Sequence, residues 1–153
     1  MIQQAVSDEV RERSDLDWKR ELPHGNSEET RDEFTKDVAA MANSGGGTIV
    51  FGVEEDRSTS AARTIVGASS WDDSRQRTLR TWAFNSIHPP VHGLEFALIQ
   101  EDGVEVILLN AQASADTPHL IIMNGSFRAP RREGAGTVYM SEREIESHYR
   151  TSV

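Results

Sequence analysis

The chain contains no cysteine. Disulfides, thiol nucleophiles and cysteine-ligated zinc sites are therefore excluded, no zinc is expected, and the composition fits a reducing cytoplasm. No apolar run approaches the ~20 residues of a membrane span, and the opening MIQQAVSDEVRER lacks the apolar segment of a signal peptide, so no membrane association is expected. Positive charge is scarce: 16 Lys and Arg stand against 25 Asp and Glu, a net charge of -9. That balance argues against nucleic-acid binding through a generally basic surface. The 153 residues suit one domain over 1–153, with 1–8 as a flexible start.

The charge is uneven. Residues 1–56 carry 6 basic and 14 acidic side chains, whereas residues 57–153 carry 10 and 11. Basic residues cluster at Lys19-Arg20, at Arg75, Arg77 and Arg80, and at Arg128, Arg131 and Arg132. Arginine suits bidentate phosphate contacts, so a local basic groove within an acidic molecule is one reading; ordinary solvated faces are the other.

Periodicity predicts an α+β domain. Ser7 is placed to cap a short helix over 7–14. Leu16, Trp18 and Arg20 alternate with Asp17, Lys19 and Glu21, which predicts a strand with one buried face and with Asp17 and Lys19 together on the other. Asn26 with Glu29 resembles a capping arrangement for a helix carrying Phe34, Val38, Met41 and Ala42 inward through Asn43. Gly45-Gly46-Gly47 stops that helix, TIVFGV is an apolar strand, and a brief TIVG strand follows. A second helix runs from about Asp72 to Ile87 and ends at His88-Pro89-Pro90. The C-terminal half reads as hairpins: LEFALIQ with VEVILLNA across Glu101-Asp102-Gly103, and HLIIM with SFRA across Asn124-Gly125. A last strand, Thr137–Met140, precedes a short closing helix capped by Ser141 with Glu144. The expected architecture is a mixed sheet with two main helices and a hairpin-rich second half.

Several motifs fail on inspection. The glycine run follows a helix and precedes a strand, the reverse of a phosphate loop, so its role is a helix C-cap with close backbone packing. The five histidines show no metal-ligand spacing, and Pro89-Pro90 breaks the helix that could align His88 with His92. Trp18 and Trp82 fall on core faces; Trp71 has no assigned role.

One constellation remains. Glu12, Asp17 and Glu55 lie near the ends of adjacent elements and could converge at one rim of the sheet, with Lys19 beside them. Carboxylate clusters suit magnesium or manganese, and a nearby lysine can stabilise charge developing on a phosphate. In a chain so rich in acids, the same residues could serve solubility alone.

The string Glu12-Arg-Ser-Asp-Leu-Asp17-Trp-Lys19, the helix end Ala-Met-Ala-Asn43-Ser-Gly-Gly46-Gly and the strand Ile-Val-Phe-Gly52-Val-Glu-Glu55 together resemble the Schlafen-type AlbA domain (AlbA_2). That family reads Glu, four residues, Glu-Phe-Lys, then Ala-Phe-Ala-Asn-Thr-x-Gly-Gly before a strand ending Gly-Val-Asp-Asp. Ile87-His-Pro89-Pro, Phe127-Arg128 and Thr137 extend the resemblance over roughly residues 9–150. The resemblance implies a three-carboxylate RNA-cleaving site at Glu12, Asp17 and Glu55, holding Mg2+ or Mn2+, with Lys19 as the motif lysine. Asp17 replaces Glu, Glu55 replaces Asp and Trp18 replaces Phe. Animal Schlafens join two such lobes and add a zinc site; this chain has one lobe, so a homodimer is expected to restore the groove.

Three functions follow. The first is a metal-dependent endoribonuclease acting on structured RNA such as tRNA, with Arg20, Arg77, Arg80, Arg128, Arg131 and Arg132 steering the phosphate backbone. Arg77 and Arg80 make the better helical pair. The second is a non-catalytic DNA- or RNA-binding or transcription-regulatory module. The third is an acidic protein-interaction domain, which the net charge favours.

Overall fold

The computed structural model describes residues 2–8, 10, 13–68, 71–101 and 103–151, with Ser7 and Glu101 by backbone alone; Glu12 lies outside the described residues. The order is α1 (Ile2–Ser7), β1 (Leu16–Lys19), α2 (Glu28–Asn43), β2 (Gly47–Phe51), β3 (Val53–Asp56), β4 (Ala61–Ile65) and α3 (Asp73–Ser86). Then come β5 (Glu95–Glu101), β6 (Val104–Ala111), β7 (Ile121–Met123), β8 (Ser126–Arg128), β9 (Pro130–Glu133), β10 (Gly136–Tyr139) and α4 (Glu142–Thr151). No helix among the described residues is long and apolar enough to cross a membrane.

A four-stranded mixed sheet, β1-β2-β6-β5, forms the centre: β1 runs parallel to β2 and the other pairs are antiparallel. Alternation along β2 sends Ile49 and Phe51 to one face and Val50 to the other. On the first face Ile49, Phe51, Ile107 and Leu109 pack against Phe34, Val38 and Met41 of α2 and Leu79, Trp82 and Ala83 of α3. Phe34 meets Trp82 edge to face at 6.1 Å. Across the sheet, Trp18, Val50 and Val106 bury with Ile2 of α1 and with Val53 and Ala62 of the β3–β4 hairpin. Trp71, unassigned from sequence, is partly buried 5.2 Å from the Phe96 ring.

Asn43, the last residue of α2, is buried and makes three hydrogen bonds across the fold. Its Oδ1 accepts from the His119 backbone N–H at 2.7 Å, and its Nδ2 donates to the carbonyls of His119 (3.0 Å) and Pro130 (2.8 Å). The next residue, Ser44, accepts the Arg132 backbone N–H on its Oγ at 2.8 Å. The glycine run acts as expected: the Gly46 N–H returns to the Met41 carbonyl at 2.8 Å, closing α2. A Cβ at Gly46 would lie 2.7 Å from the Ala113 nitrogen, at a backbone φ of +93°. No other residue fits there.

Four expectations are corrected. Ser7 ends α1 instead of starting a helix over 7–14, and the stretch that would have continued it lies partly outside the described residues. The cap of α2 is Ser27, one residue beyond Asn26; its Oγ accepts from the Thr30 N–H at 3.1 Å. β1 is covered on both faces, so Asp17 is buried, and it stops at Lys19, leaving Arg20 exposed outside the strand. β9 was not anticipated, because Pro-Arg-Arg-Glu shows no apolar alternation. By contrast the Asn124-Gly125 turn and the Ser141/Glu144 box are present, the latter with Glu144 N–H donating to Ser141 Oγ at 3.2 Å.

Asn43→Ala leaves the His119 N–H and two carbonyls without their partner inside the fold. The variant is expected to lose about 2–4 kcal/mol of stability, read as a lower denaturant midpoint at unchanged m-value. A loss below about 0.5 kcal/mol would show that Asn43 does not hold these segments together.

Candidate nucleic-acid interface beside the first strand

Asp17 and Lys19 stand at i and i+2 of β1, opposite Ile49 and Phe51, and so share the face that α2 covers. Above them α2 presents Glu33, Lys36 and Asp37, whose i, i+3, i+4 spacing places them on one side of the helix. The β9–β10 hairpin closes one flank through Arg132 and Thr137, and β3 closes another through Glu54 and Glu55. A cavity of about 480 Å³ lies between these elements.

Its lining is densely charged and balanced. Five acids (Asp17, Glu33, Asp37, Glu54, Glu55) face five bases (Lys19, Arg20, Lys36, Arg57, Arg132). A chain with a net charge of -9 thus gathers 5 of its 16 cations around one opening. Both Glu54 and Glu55 line the cavity although they are consecutive; the β3–β4 pairing shifts register between them, with Arg63 of β4 as the bulged residue.

Lys19 is the hub. Its Nζ lies 3.2 Å from Asp37 Oδ2, 3.4 Å from Asp17 Oδ2 and 4.0 Å from Glu33 Oε1. Burial by itself would lower the pKa of the ammonium, but the Asp37 and Asp17 carboxylates outweigh it and hold Lys19 above the ordinary lysine value. Asp37 is 7% exposed, and burial pushes its carboxyl up to about 6. The Lys19 ammonium opposes that rise, while Asp17 and Glu33 add to it.

Arg132, also buried, extends the network. Its Nη2 donates to the carbonyls of Arg13 (3.0 Å) and Leu16 (3.4 Å), and its Nη1 lies 3.9 Å from Asp17 Oδ2. Three buried side-chain atoms have no hydrogen-bond partner among the described residues: Asp17 Oδ2, Glu55 Oε2 and Arg132 Nε. All three belong to residues lining this cavity. Buried polar atoms are ordinarily paired, so these three set the cavity apart from the rest of the described interior.

Of the residues singled out from sequence, Asp17, Lys19, Arg20, Glu55 and Arg132 line the cavity, while Glu12 lies outside the described residues. Arg77, Arg80, Arg128 and Arg131 do not line it. Arg80 donates to the Leu94 carbonyl at 2.6 Å and sits 5.1 Å over the Phe96 ring. Arg128 lies 5.0 Å over the Tyr139 ring. Arg131, expected on a phosphate-steering surface, has its Nε 2.6 Å from Glu144 of α4 and its Nη1 3.7 Å from Glu133. Asp37, Glu33, Lys36, Glu54 and Arg57 were missed. Asp37 adjoins Val38 on the rim of the apolar stripe of α2, and an acid at that position was the available signal.

Folded Asp37 binds its proton more tightly than an unfolded aspartate with its ordinary value of 3.8. Its effect on stability is therefore most favourable below pH about 4 and declines as pH rises through about 6. In metal-free buffer, wild-type stability relative to Asp37→Asn is expected to fall by up to about 3 kcal/mol between pH about 4 and about 7. A pH-independent difference would refute the raised value.

Two solved structures share the fold. The DIP2311 protein of Corynebacterium diphtheriae aligns with a TM-score of 0.64 at 19% identity, over 99% of this chain and 28% of its own. The N-terminal domain of a RecG-related protein from Nitrosomonas europaea aligns with a TM-score of 0.60 at 20% identity, over 82% of each chain. This chain thus spans about a quarter of the first structure's length. No curated protein matches the sequence. The family described as "Schlafen, AlbA_2" matches residues 12–145, and the chain belongs to it.

Proposed function

We propose that the cavity beside β1 binds the phosphate backbone of nucleic acid and cleaves structured RNA such as tRNA with the help of Mg2+ or Mn2+. The observation that carries this reading is the set of orphaned buried atoms. Among the described residues Asp17 Oδ2 and Glu55 Oε2 accept no hydrogen bond, although Lys19 Nζ lies 3.4 Å from the former, and Arg132 Nε has no acceptor, all around one opening. A cation together with a phosphate oxygen supplies both.

Asp17 and Glu55 are the carboxylates that would hold a divalent ion. Among the described residues no group of three His, Cys, Asp or Glu side chains could hold one; the family resemblance assigns the third carboxylate to Glu12. When bound, such an ion polarises a phosphoryl oxygen and acidifies a ligated water. Lys19, held protonated by its two aspartates, stays a cation at neutral pH and faces the negative charge that grows on the phosphorus oxygens. Arg132 would donate its free Nε–H to a non-bridging oxygen. The exposed Arg20 and Arg57 at the mouth would draw the strand in by charge. A two-fold pairing of chains would lengthen this groove.

A second reading, binding without cleavage, is favoured by one observation: Lys19 and Arg132 already flank Asp17, taking up charge that a metal would neutralise. It also accords with the RecG-related neighbour, whose name refers to an ATP-dependent DNA helicase.

Incubating tRNA with the protein and Mn2+ is expected to yield products that EDTA abolishes. Asp17→Asn, Glu55→Gln and Lys19→Ala, each checked for fold by circular dichroism, should slow cleavage by about 100-fold or more. Products unaffected by EDTA, or full activity in Glu55→Gln, would overturn the nuclease reading. Retention of RNA without products would establish the second one. Binding itself should weaken steeply with salt, and Arg20→Gln and Arg57→Gln should each reduce the log–log salt slope by about 1; unchanged slopes would remove these arginines from the interface.

A further inference from the structure

The charged cavity has a neighbour of different character. A second cavity of about 420 Å³ lies between α2 and the chain leaving β1, and the two share Lys19, Glu33 and Asp37 as a common wall. Its floor is apolar, built from Leu22, Phe34, Ile49 and Phe51. Its volume falls within the roughly 300–1,000 Å³ of small-molecule sites.

The two differ in sign. The first cavity balances five acids with five bases, whereas the second sets four acids (Glu21, Glu29, Glu33, Asp37) against Lys19 alone among lysines and arginines. A phosphate is repelled from such a rim. An uncharged, flat group with N–H donors on its edge and an apolar face is complementary to it.

We propose that this second cavity receives the base of the nucleotide whose phosphate occupies the first, and that it selects guanine. The inference rests on the phosphate-binding reading above and adds what that reading leaves open, which base is read. Glu33 is already bonded to Lys36 at 2.8 Å, while Glu29 has no hydrogen-bond or ion-pair partner among the described residues. An ionised carboxylate only accepts, at two oxygens side by side. Guanine offers two parallel donors on one edge, N1–H and the exocyclic amine. Neutral adenine and cytosine offer an amine without an adjacent ring N–H. Uracil flanks its single N–H with two carbonyl oxygens, which repel a carboxylate. Glu29 is thus the reading residue, and Thr30 beside it lines the same opening.

The test uses the full chain in EDTA and fluorescent eight-nucleotide RNAs, uridine throughout except for one central guanosine, adenosine, cytidine or abasic position. Wild type is expected to bind the guanosine strand about tenfold more tightly than all-uridine RNA. Glu29→Gln should bring that ratio within about threefold without changing affinity for the abasic strand. Thr30→Trp, which fills the opening, should lower every strand to the abasic level. Equal wild-type affinities, preference for another base, or a guanine preference surviving both substitutions would overturn the base site while leaving the phosphate site standing. Failure to bind even the abasic strand, in EDTA and again with Mg2+ restored, would overturn both.

Discussion

The structure depends on the hydrogen bonds that leave the end of α2. Asn43 holds the backbone at His119 and Pro130, and Ser44 holds the backbone N–H of Arg132, so two adjacent side chains fix the start of β9 against the helix. β9 has little apolar surface with which to hold itself in place. With its backbone fixed, Arg132 turns inward to the carbonyls of Arg13 and Leu16 and toward Asp17. The Asn-Ser-Gly-Gly segment therefore serves the cavity from outside it: the asparagine and serine position a wall, and the glycines let the chain turn close beneath the loop after β6. Its resemblance to a phosphate loop is superficial, because these polar atoms bind the protein's own backbone.

Around that wall the energetics are unfavourable for a purely structural role. Buried acids at 17 and 37 share one lysine, and Arg132 contributes only a 3.9 Å approach to Asp17. Placing ions in a poorly hydrated site costs several kcal/mol each, and apolar residues of similar size commonly stabilise a fold better. The raised Asp37 carboxyl has the same origin, its burial. Three side-chain atoms there are unpaired among the described residues, so the cluster departs from what an apolar core would supply at the same place.

Much of the fold was legible in local chemistry. The Asn-Gly turn, the Ser/Glu box and the 3.6-residue stripe of Phe34, Val38 and Met41 each correspond to an observed element. What was illegible depended on tertiary cover. Nothing local indicated that α2 would lie over the polar side of β1, so Asp17 read as a solvent-facing acid although it is 4% exposed. The same gap hid Asp37, since a buried aspartate is explained only by the lysine it meets across two elements. Charge clusters divide only in three dimensions: Arg131 and Arg132 are neighbours in sequence, yet strand alternation sends one to a salt bridge with α4 and the other into the cavity.

The irregularity in the β3–β4 hairpin has its own outcome. In an unbroken ladder only every second side chain could look toward the opening, so one carboxylate would be offered there and the next turned away. The residue left over lies on the partner strand: between Glu54, opposite Thr64, and Glu55, opposite Ala62, Arg63 of β4 has no counterpart. A bulge there bends and twists the ribbon locally, and both glutamates line the cavity. The spacing of β4 is thereby more consequential than its composition: excising Arg63 would straighten the ribbon and turn one carboxylate away, a larger disturbance than exchanging that arginine for another side chain.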